Sequence, residues 1–215
     1  MFERISRREE FDLFIAWIAI SLAFAIIFLR GSGRADPVIA LIFLGISLFT
    51  VGIGFILHEM AHKFTAIKYG FWAEFRKDNT MLVVAVALAA LVGVVFAAPG
   101  ATVIYDINGR GISREQNGKI SVAGPLVNLL LCIPFAALLV YGGGGIPVTS
   151  NIVTIIGMIG LQVNAMIAAF NMLPVSVLDG KKVLAWNKAV FAIMILAAFG
   201  ALLLSFYPEA ISGYL

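Results

Sequence analysis

Six long apolar runs constrain the fold of this chain more than any other feature. Each is at least 19 residues long, and about 20 apolar residues in a helix cross the roughly 30 Å hydrocarbon core of a bilayer. The runs cover residues 11–29, 37–69, 80–98, 122–141, 151–170 and 187–206. Only 13% of the residues are charged and the mean hydropathy is +1.02, whereas about 25% are charged in soluble domains. These features predict an all-α polytopic membrane protein with about five to six transmembrane helices.

The polar stretches between these runs are short. None is long enough to fold a separate soluble domain, so we expect residues 1–215 to form a single membrane-embedded domain. The formal net charge of +3 is small and scattered, which argues against a nucleic-acid partner and leaves the lipid bilayer as the expected surroundings.

Both histidines of the chain lie in one apolar run, in FILHEMAHKF at residues 55–64. His58 and His62 are four residues apart and share a helix face, so both can bind one metal ion, with Glu59 beside them. Ionisable groups are costly inside a membrane and indicate a functional site. The alternative is a structural role, in which the histidines form interhelical hydrogen bonds and Glu59 pairs with Lys63.

A metal site of this kind needs a third ligand. Two imidazoles and a carboxylate make a catalytic zinc site with an open position for water, whose pKa zinc lowers to about 7. The acidic residues near apolar segments are Asp12, Asp106, Asp179 and Glu209. Asp179 follows Pro174, which ends a helix, and precedes Gly180, which allows a tight turn. Asp179 is therefore the candidate ligand, the alternative being an interfacial turn in which it caps a helix.

Three motifs occur in a fixed order along the chain: HEMAH, GPLVN at Gly124–Asn128, and NMLPVSVLDG at Asn171–Gly180. Together they resemble the three signatures of the site-2 protease family. The members of this family are intramembrane zinc metalloproteases. The resemblance covers a catalytic core of about residues 37–186. It corresponds to a compact form of the family, without the PDZ-like or CBS domains of many relatives.

The resemblance implies a role for each matching residue. His58, His62 and Asp179 would bind one zinc ion per chain, and Glu59 would be the general base. Asn171 would help to hold the substrate or the tetrahedral intermediate, and Asn128 would support the site. Either asparagine could equally be an interhelical hydrogen-bonding residue.

Residues 101–124, between the third and fourth apolar runs, have a different sequence pattern: ATVIYDINGRGISREQNGKISVAG. Its β-branched alternation and its two Asn-Gly pairs, Asn108-Gly109 and Asn117-Gly118, are typical of hairpins. We predict a small membrane-associated antiparallel sheet of two or three strands at about residues 101–123. Its exposed edge could hold an extended substrate by β-addition; the alternative is a surface hairpin that only covers the helices.

The distribution of lysine and arginine separates two topologies. If all six runs cross and the N-terminus is cytoplasmic, seven of these residues lie inside and eight outside, contrary to the positive-inside rule. His62 and Asp179 would then lie at opposite membrane faces. If residues 80–98 instead enter and return, only Arg30 and Arg34 lie outside and thirteen lie inside. We therefore predict five spans, one re-entrant or half-buried segment, and the N-terminus and site on the cytoplasmic side of a prokaryotic cell membrane.

The predicted function is that of an intramembrane zinc metallopeptidase. Its partner would be a membrane-anchored protein substrate, cleaved within or near a transmembrane segment by metal-activated water with Glu59 as the base. Two other classes stay open: a divalent-metal transporter and a catalytically inactive relative that acts as a membrane-binding module. Transporters typically show inverted repeats, and none is visible in this sequence.

Overall fold

A computed structural model shows a helical bundle with one small sheet. It describes residues 5–33, 36–95, 99–106, 109–143, 151–207 and 211. In chain order, the elements are α1 (Arg7–Gly31), α2 (Pro37–Lys68), β1 (Trp72–Lys77), α3 (Asn79–Leu91), β2 (Gly100–Tyr105), α4 (Arg114–Tyr141), α5 (Ile152–Asn171), α6 (Asp179–Trp186) and α7 (Lys188–Ser205). Within the described residues, α1, α2, α4, α5 and α7 are long and apolar enough to cross a membrane. The predicted all-α membrane architecture with a small antiparallel sheet is confirmed.

Helix α2, which carries HEMAH, begins and ends at sequence-encoded signals. The Asp36 carboxylate accepts hydrogen bonds from the backbone N–H groups of Val38 and Ile39, and Pro37 occupies the first turn, where its missing N–H costs nothing. The helix stops at Lys68, just before Gly70, which adopts a φ of +84° that favours glycine. The predicted bounds of this helix are confirmed to within a residue.

The segment after α2 leaves the sheet and returns to it. Helix α3 has only 13 residues, about 20 Å at 1.5 Å per residue, which is too short to cross a bilayer. Strands β1 and β2 flank α3 and pair antiparallel, with Lys77 opposite Gly100. At the far end of α3 the Arg30 guanidinium donates a hydrogen bond to the carbonyl of Ala90. The chain thus leaves the sheet after Lys77 and is back at the sheet at Gly100, a path that fits the predicted re-entrant segment, and a cation lies at the last helical turn of α3.

The sheet has different strands from those predicted over residues 101–123. Strand β2 falls in that range, but its partner is β1, and residues 114–123 form the start of α4. Ser113 and Gln116 form a capping box that begins the helix. Gly118 is a packing glycine, since a Cβ there would lie 2.3 Å from the Cβ of Trp186. The prediction of a turn at Asn117-Gly118 is wrong for these reasons, and Asn108 of the other pair lies outside the described residues.

Close packing of α4 against α5 positions the interior polar residues. Gly157 and Gly160 on α5 allow this approach: a Cβ at Gly157 would lie 2.4 Å from the backbone nitrogen of Leu139, and one at Gly160 would lie 2.1 Å from the ring of Phe135. Small residues serve this purpose between membrane helices, where no hydrophobic force draws helices together. The interface brings Asn128 of α4 next to α5.

Candidate metal centre

Three buried side chains from two helices converge at one point. His58 and His62 project from the same face of α2, and their Nε2 atoms lie 3.0 Å apart. Asp179, the first residue of α6, brings Oδ2 to 3.1 Å from His62 Nε2 and 3.6 Å from His58 Nε2. The three donor atoms all lie within 4.8 Å of one another. These residues could hold one metal ion.

The turn before α6 directs Asp179 towards the histidines. Helix α5 ends at Asn171, and Ser176 in the following turn has a φ of +50°. Gly180 packs directly on the backbone, where a Cβ would lie 2.1 Å from the carbonyl oxygen of Met172. The N-cap of α6 is Leu178, which makes no side-chain cap. The alternative in which Asp179 caps this helix is therefore wrong.

The outer nitrogens of both imidazoles contact fixed oxygens. His58 Nδ1 lies 2.5 Å from Asn128 Oδ1, and His62 Nδ1 lies 2.8 Å from the carbonyl oxygen of Ile120. In the neutral imidazole, the Nδ1 proton donates to that oxygen and Nε2 presents a lone pair. The two Nε2 lone pairs, on atoms 3.0 Å apart, are then free to bind one metal ion beside Asp179, as in metal-bound histidines whose other nitrogen has a hydrogen-bond partner. The donor set of two imidazoles and a carboxylate fits zinc.

Asn128 is fixed in turn by a chain of buried amides. Its Nδ2 donates to the carbonyl oxygen of Gly54 at 3.0 Å and to Asn164 Oδ1 at 2.9 Å, so its oxygen must face His58. Asn164 Nδ2 donates to the Gly160 carbonyl at 2.8 Å. The orientation of His58 thus depends on three helices, and Asn164, which the sequence motifs do not include, belongs to the same chain of amides as Asn128.

Space for an ion depends on a glycine of the GPLVN motif. A Cβ at Gly124 would lie 2.4 Å from His62 Nε2 and 2.6 Å from His58 Nε2. Any side chain there would occupy the region that both lone pairs face. The motif thus has two roles: Gly124 leaves space beside the histidines because it has no side chain, and the Asn128 amide orients His58.

Glu59 lies beside the donor atoms and is not one of them. Its Oε2 accepts a hydrogen bond of 2.8 Å from the hydroxyl of Thr102 on β2. The alternative pairing of Glu59 with Lys63 is wrong, because Lys63 is fully buried and forms an ion pair with Glu9 of α1. Glu9 also accepts a hydrogen bond from the backbone N–H of Phe75 at 3.0 Å, which ties α1, α2 and β1 together.

A cavity of about 50 Å³ opens beside these groups, and its lining includes His58, Glu59, His62, Asn171 and Asp179. It exceeds the roughly 10–15 Å³ that one water needs. The Nδ2 of Asn171 donates to the carbonyl of Ile167 at 3.0 Å. Asn171 thus lines the cavity but does not belong to the chain of amides formed by Asn128 and Asn164.

The second oxygen of the Asp179 carboxylate lies 3.6 Å from Lys182 Nζ. Burial alone would raise the pKa of the Asp179 carboxyl, but when His62 and His58 are protonated, their attraction and the hydrogen bonds that they donate outweigh burial and hold that pKa well below its usual range. Asp179 is therefore ionised at neutral pH, as a metal ligand must be.

Comparison with known proteins identifies a relative across nearly the whole chain. A protein of Methanocaldococcus jannaschii that is provisionally named a zinc metalloprotease is 38% identical over 200 residues, covering 93% of this chain and 95% of the relative. No family model matches the chain, and no solved structure matches it. The similarity spans the residues that converge at the candidate metal centre.

Proposed function

The chain belongs to the same family as the Methanocaldococcus jannaschii protein provisionally named a zinc metalloprotease, and from that premise we propose that it is a site-2 protease-like intramembrane zinc metallopeptidase. The observation that carries the proposal is the convergence of His58, His62 and Asp179 within a bundle of membrane-length helices. A carboxylate outside the ligand set, Glu59, borders the same cavity. Three ligands leave one position of a tetrahedral ion open for water or substrate.

Each residue then has a part in peptide hydrolysis. A bound zinc ion supplies Lewis acidity, which lowers the pKa of water to about 7 and polarises a carbonyl. Glu59 accepts the proton of the attacking water and passes it to the leaving amine, while Thr102 holds its carboxylate in place. Asn171, at the cavity wall, contacts the substrate near the cleaved bond. Asn128 and the carbonyl of Ile120 orient the histidines.

The substrate is a membrane-anchored protein, and the sheet is where it extends. A transmembrane helix resists cleavage because its carbonyls are hydrogen-bonded internally, so the target segment must unwind first. Gly100, Thr102 and Ile104 of β2 line the cavity, and in the described residues β2 pairs only with β1. An extended segment can add to the other edge of β2 by backbone hydrogen bonds.

The polar end of the bundle, which carries the site, lies in the cytoplasm of a prokaryotic cell. This orientation rests on charge: with five spans and a re-entrant segment, thirteen of the fifteen lysines and arginines share the side of the site.

Chelation tests the proposed function. The purified protein would be reconstituted in liposomes with a panel of single-span membrane proteins, and products would be mapped by mass spectrometry. We expect cleavage within or next to the spans, loss of cleavage with 1,10-phenanthroline, and recovery with added zinc. Cleavage that persists in the chelator would contradict the metal mechanism. Zinc uptake by the liposomes without any hydrolysis would instead support a transporter.

A further inference from the structure

A second cavity opens from the candidate metal centre towards the middle of the bundle. It has a volume of about 70 Å³ and shares His58, Glu59, Gly100 and Asn171 with the first cavity. The rest of its wall is largely apolar and comes mainly from four helices, with Ile20 and Phe24 on α1, Phe55 on α2, Ala85 on α3, and Ile167 and Phe170 on α5. The two cavities therefore meet at the residues proposed to act on the peptide bond.

The second cavity lies on the membrane side of those residues. Helices α2 and α5 both run towards the site, so Phe55 lies one turn deeper than His58, and Ile167 lies one turn deeper than Asn171. Helix α3 enters from the sheet, which places Ala85 halfway along the re-entrant excursion. The first cavity has a different wall, which includes Lys182 near Asp179. An extended substrate that passes from the first cavity into the second would therefore enter more apolar surroundings.

We infer that the second cavity is a binding subsite for an apolar side chain next to the cleaved bond, on its membrane side, and that Ala85 of the re-entrant helix limits the size of this side chain. The inference rests on the proposed peptidase function and adds a substrate class to it. The cavity is several times larger than one water needs, and its largely apolar wall offers few hydrogen-bond partners to the water that would otherwise fill it. An aliphatic residue fits these properties.

The re-entrant segment then has a purpose. Ala85 is 1% exposed and lies at the wall of the cavity, whereas Ala87, two residues further on the same helix, is exposed on the outer side. The two positions have the same side chain on opposite sides of one helix. They offer a matched pair of substitutions.

The experiment uses the full chain in liposomes with synthetic single-span peptides that differ only in the residue on the membrane side of the mapped cleavage position: Gly, Ala, Leu or Phe. A hydrophobic pocket discriminates by about 10–200-fold against a ligand that lacks one methylene group. We therefore expect the kcat/KM of the wild type to be at least about tenfold higher for the Leu peptide than for the Gly peptide. Ala85→Leu should abolish this preference, and Ala87→Leu should retain it.

A variant with the opposite effect covers the case in which Ala85→Leu does not fold. Ile167→Ala enlarges the cavity and should shift the preference from Leu to Phe. Equal rates for all four peptides with the wild type, or the wild-type ranking in both Ala85→Leu and Ile167→Ala, would overturn the subsite and leave the peptidase intact. Absence of chelator-sensitive cleavage by the wild type would overturn the proposed function, and the subsite with it.

Discussion

Replacing Asn128 with alanine tests whether the buried amide chain supports the metal centre. The side chain is fully buried and makes three hydrogen bonds, to His58, Gly54 and Asn164. Truncation leaves His58 Nδ1 without its oxygen, and loss of such an outer partner typically weakens metal binding about 10–100-fold. This corresponds to about 1.4–2.8 kcal/mol of binding free energy. Each buried group left unpaired also lowers the free energy of unfolding by about 1–3 kcal/mol.

The assay is competition for zinc between the detergent-solubilised protein and a chromogenic chelator, with circular dichroism to verify the fold. Asn171→Ala is the matched control, since its amide contacts only the Ile167 carbonyl among the hydrogen bonds described for it. We expect Asn128→Ala to weaken zinc binding at least about tenfold and Asn171→Ala to leave it near the wild-type value. A folded Asn128→Ala protein with wild-type zinc affinity would refute the reasoning.

Three further predictions address the rest of the molecule. Lys63→Met leaves Glu9 buried without its partner and should lower the free energy of unfolding by about 3–5 kcal/mol. Adding Glu9→Gln should restore part of this loss, as measured by thermal denaturation. Equal stability of the single and double variants would contradict a coupled pair. Cysteines introduced at Ser32 and Ile112 should label from opposite sides of the membrane, and labelling from one side would exclude the five-span topology. Thr102→Val should lower kcat for peptide cleavage with unchanged zinc content, whereas Thr102→Ser, which keeps the hydroxyl, should restore it; equal kcat in both would remove the hydroxyl from the mechanism.

The sequence was sufficient for the features that the bilayer itself imposes. A long apolar run in lipid must satisfy its backbone internally, so helices follow almost necessarily. The capping residues then mark their ends, as Asp36 and Gly70 do for α2. The convergence of His58, His62 and Asp179 was also predictable, from the four-residue spacing of the histidines, the turn at Gly180 and the resemblance to the site-2 protease family.

Long-range contacts were what sequence analysis missed. An Asn-Gly pair is a local hairpin signal, but Gly118 is used to pack under Trp186, 68 positions away in the chain. Glu59 lies four residues before Lys63, one helical turn away, but Lys63 pairs with Glu9 of another helix. The Thr102 hydroxyl reaches Glu59 only because β2 pairs with β1 next to α2. No local pattern encodes these partners, since each depends on how separate helices and strands meet.

Zinc content and peptide cleavage, measured together on one preparation of Glu59→Gln, test the central claim most directly. Gln keeps the size of the side chain and can still form a hydrogen bond with Thr102, but it cannot accept a proton. A positioned general base contributes about 10²–10⁴ in rate, and both histidines and Asp179 remain in place. We expect about one zinc per chain, as in the wild type, with cleavage at least about 100-fold slower. Cleavage near the wild-type rate would remove Glu59 from the mechanism, and loss of the zinc would show that Glu59 holds the metal.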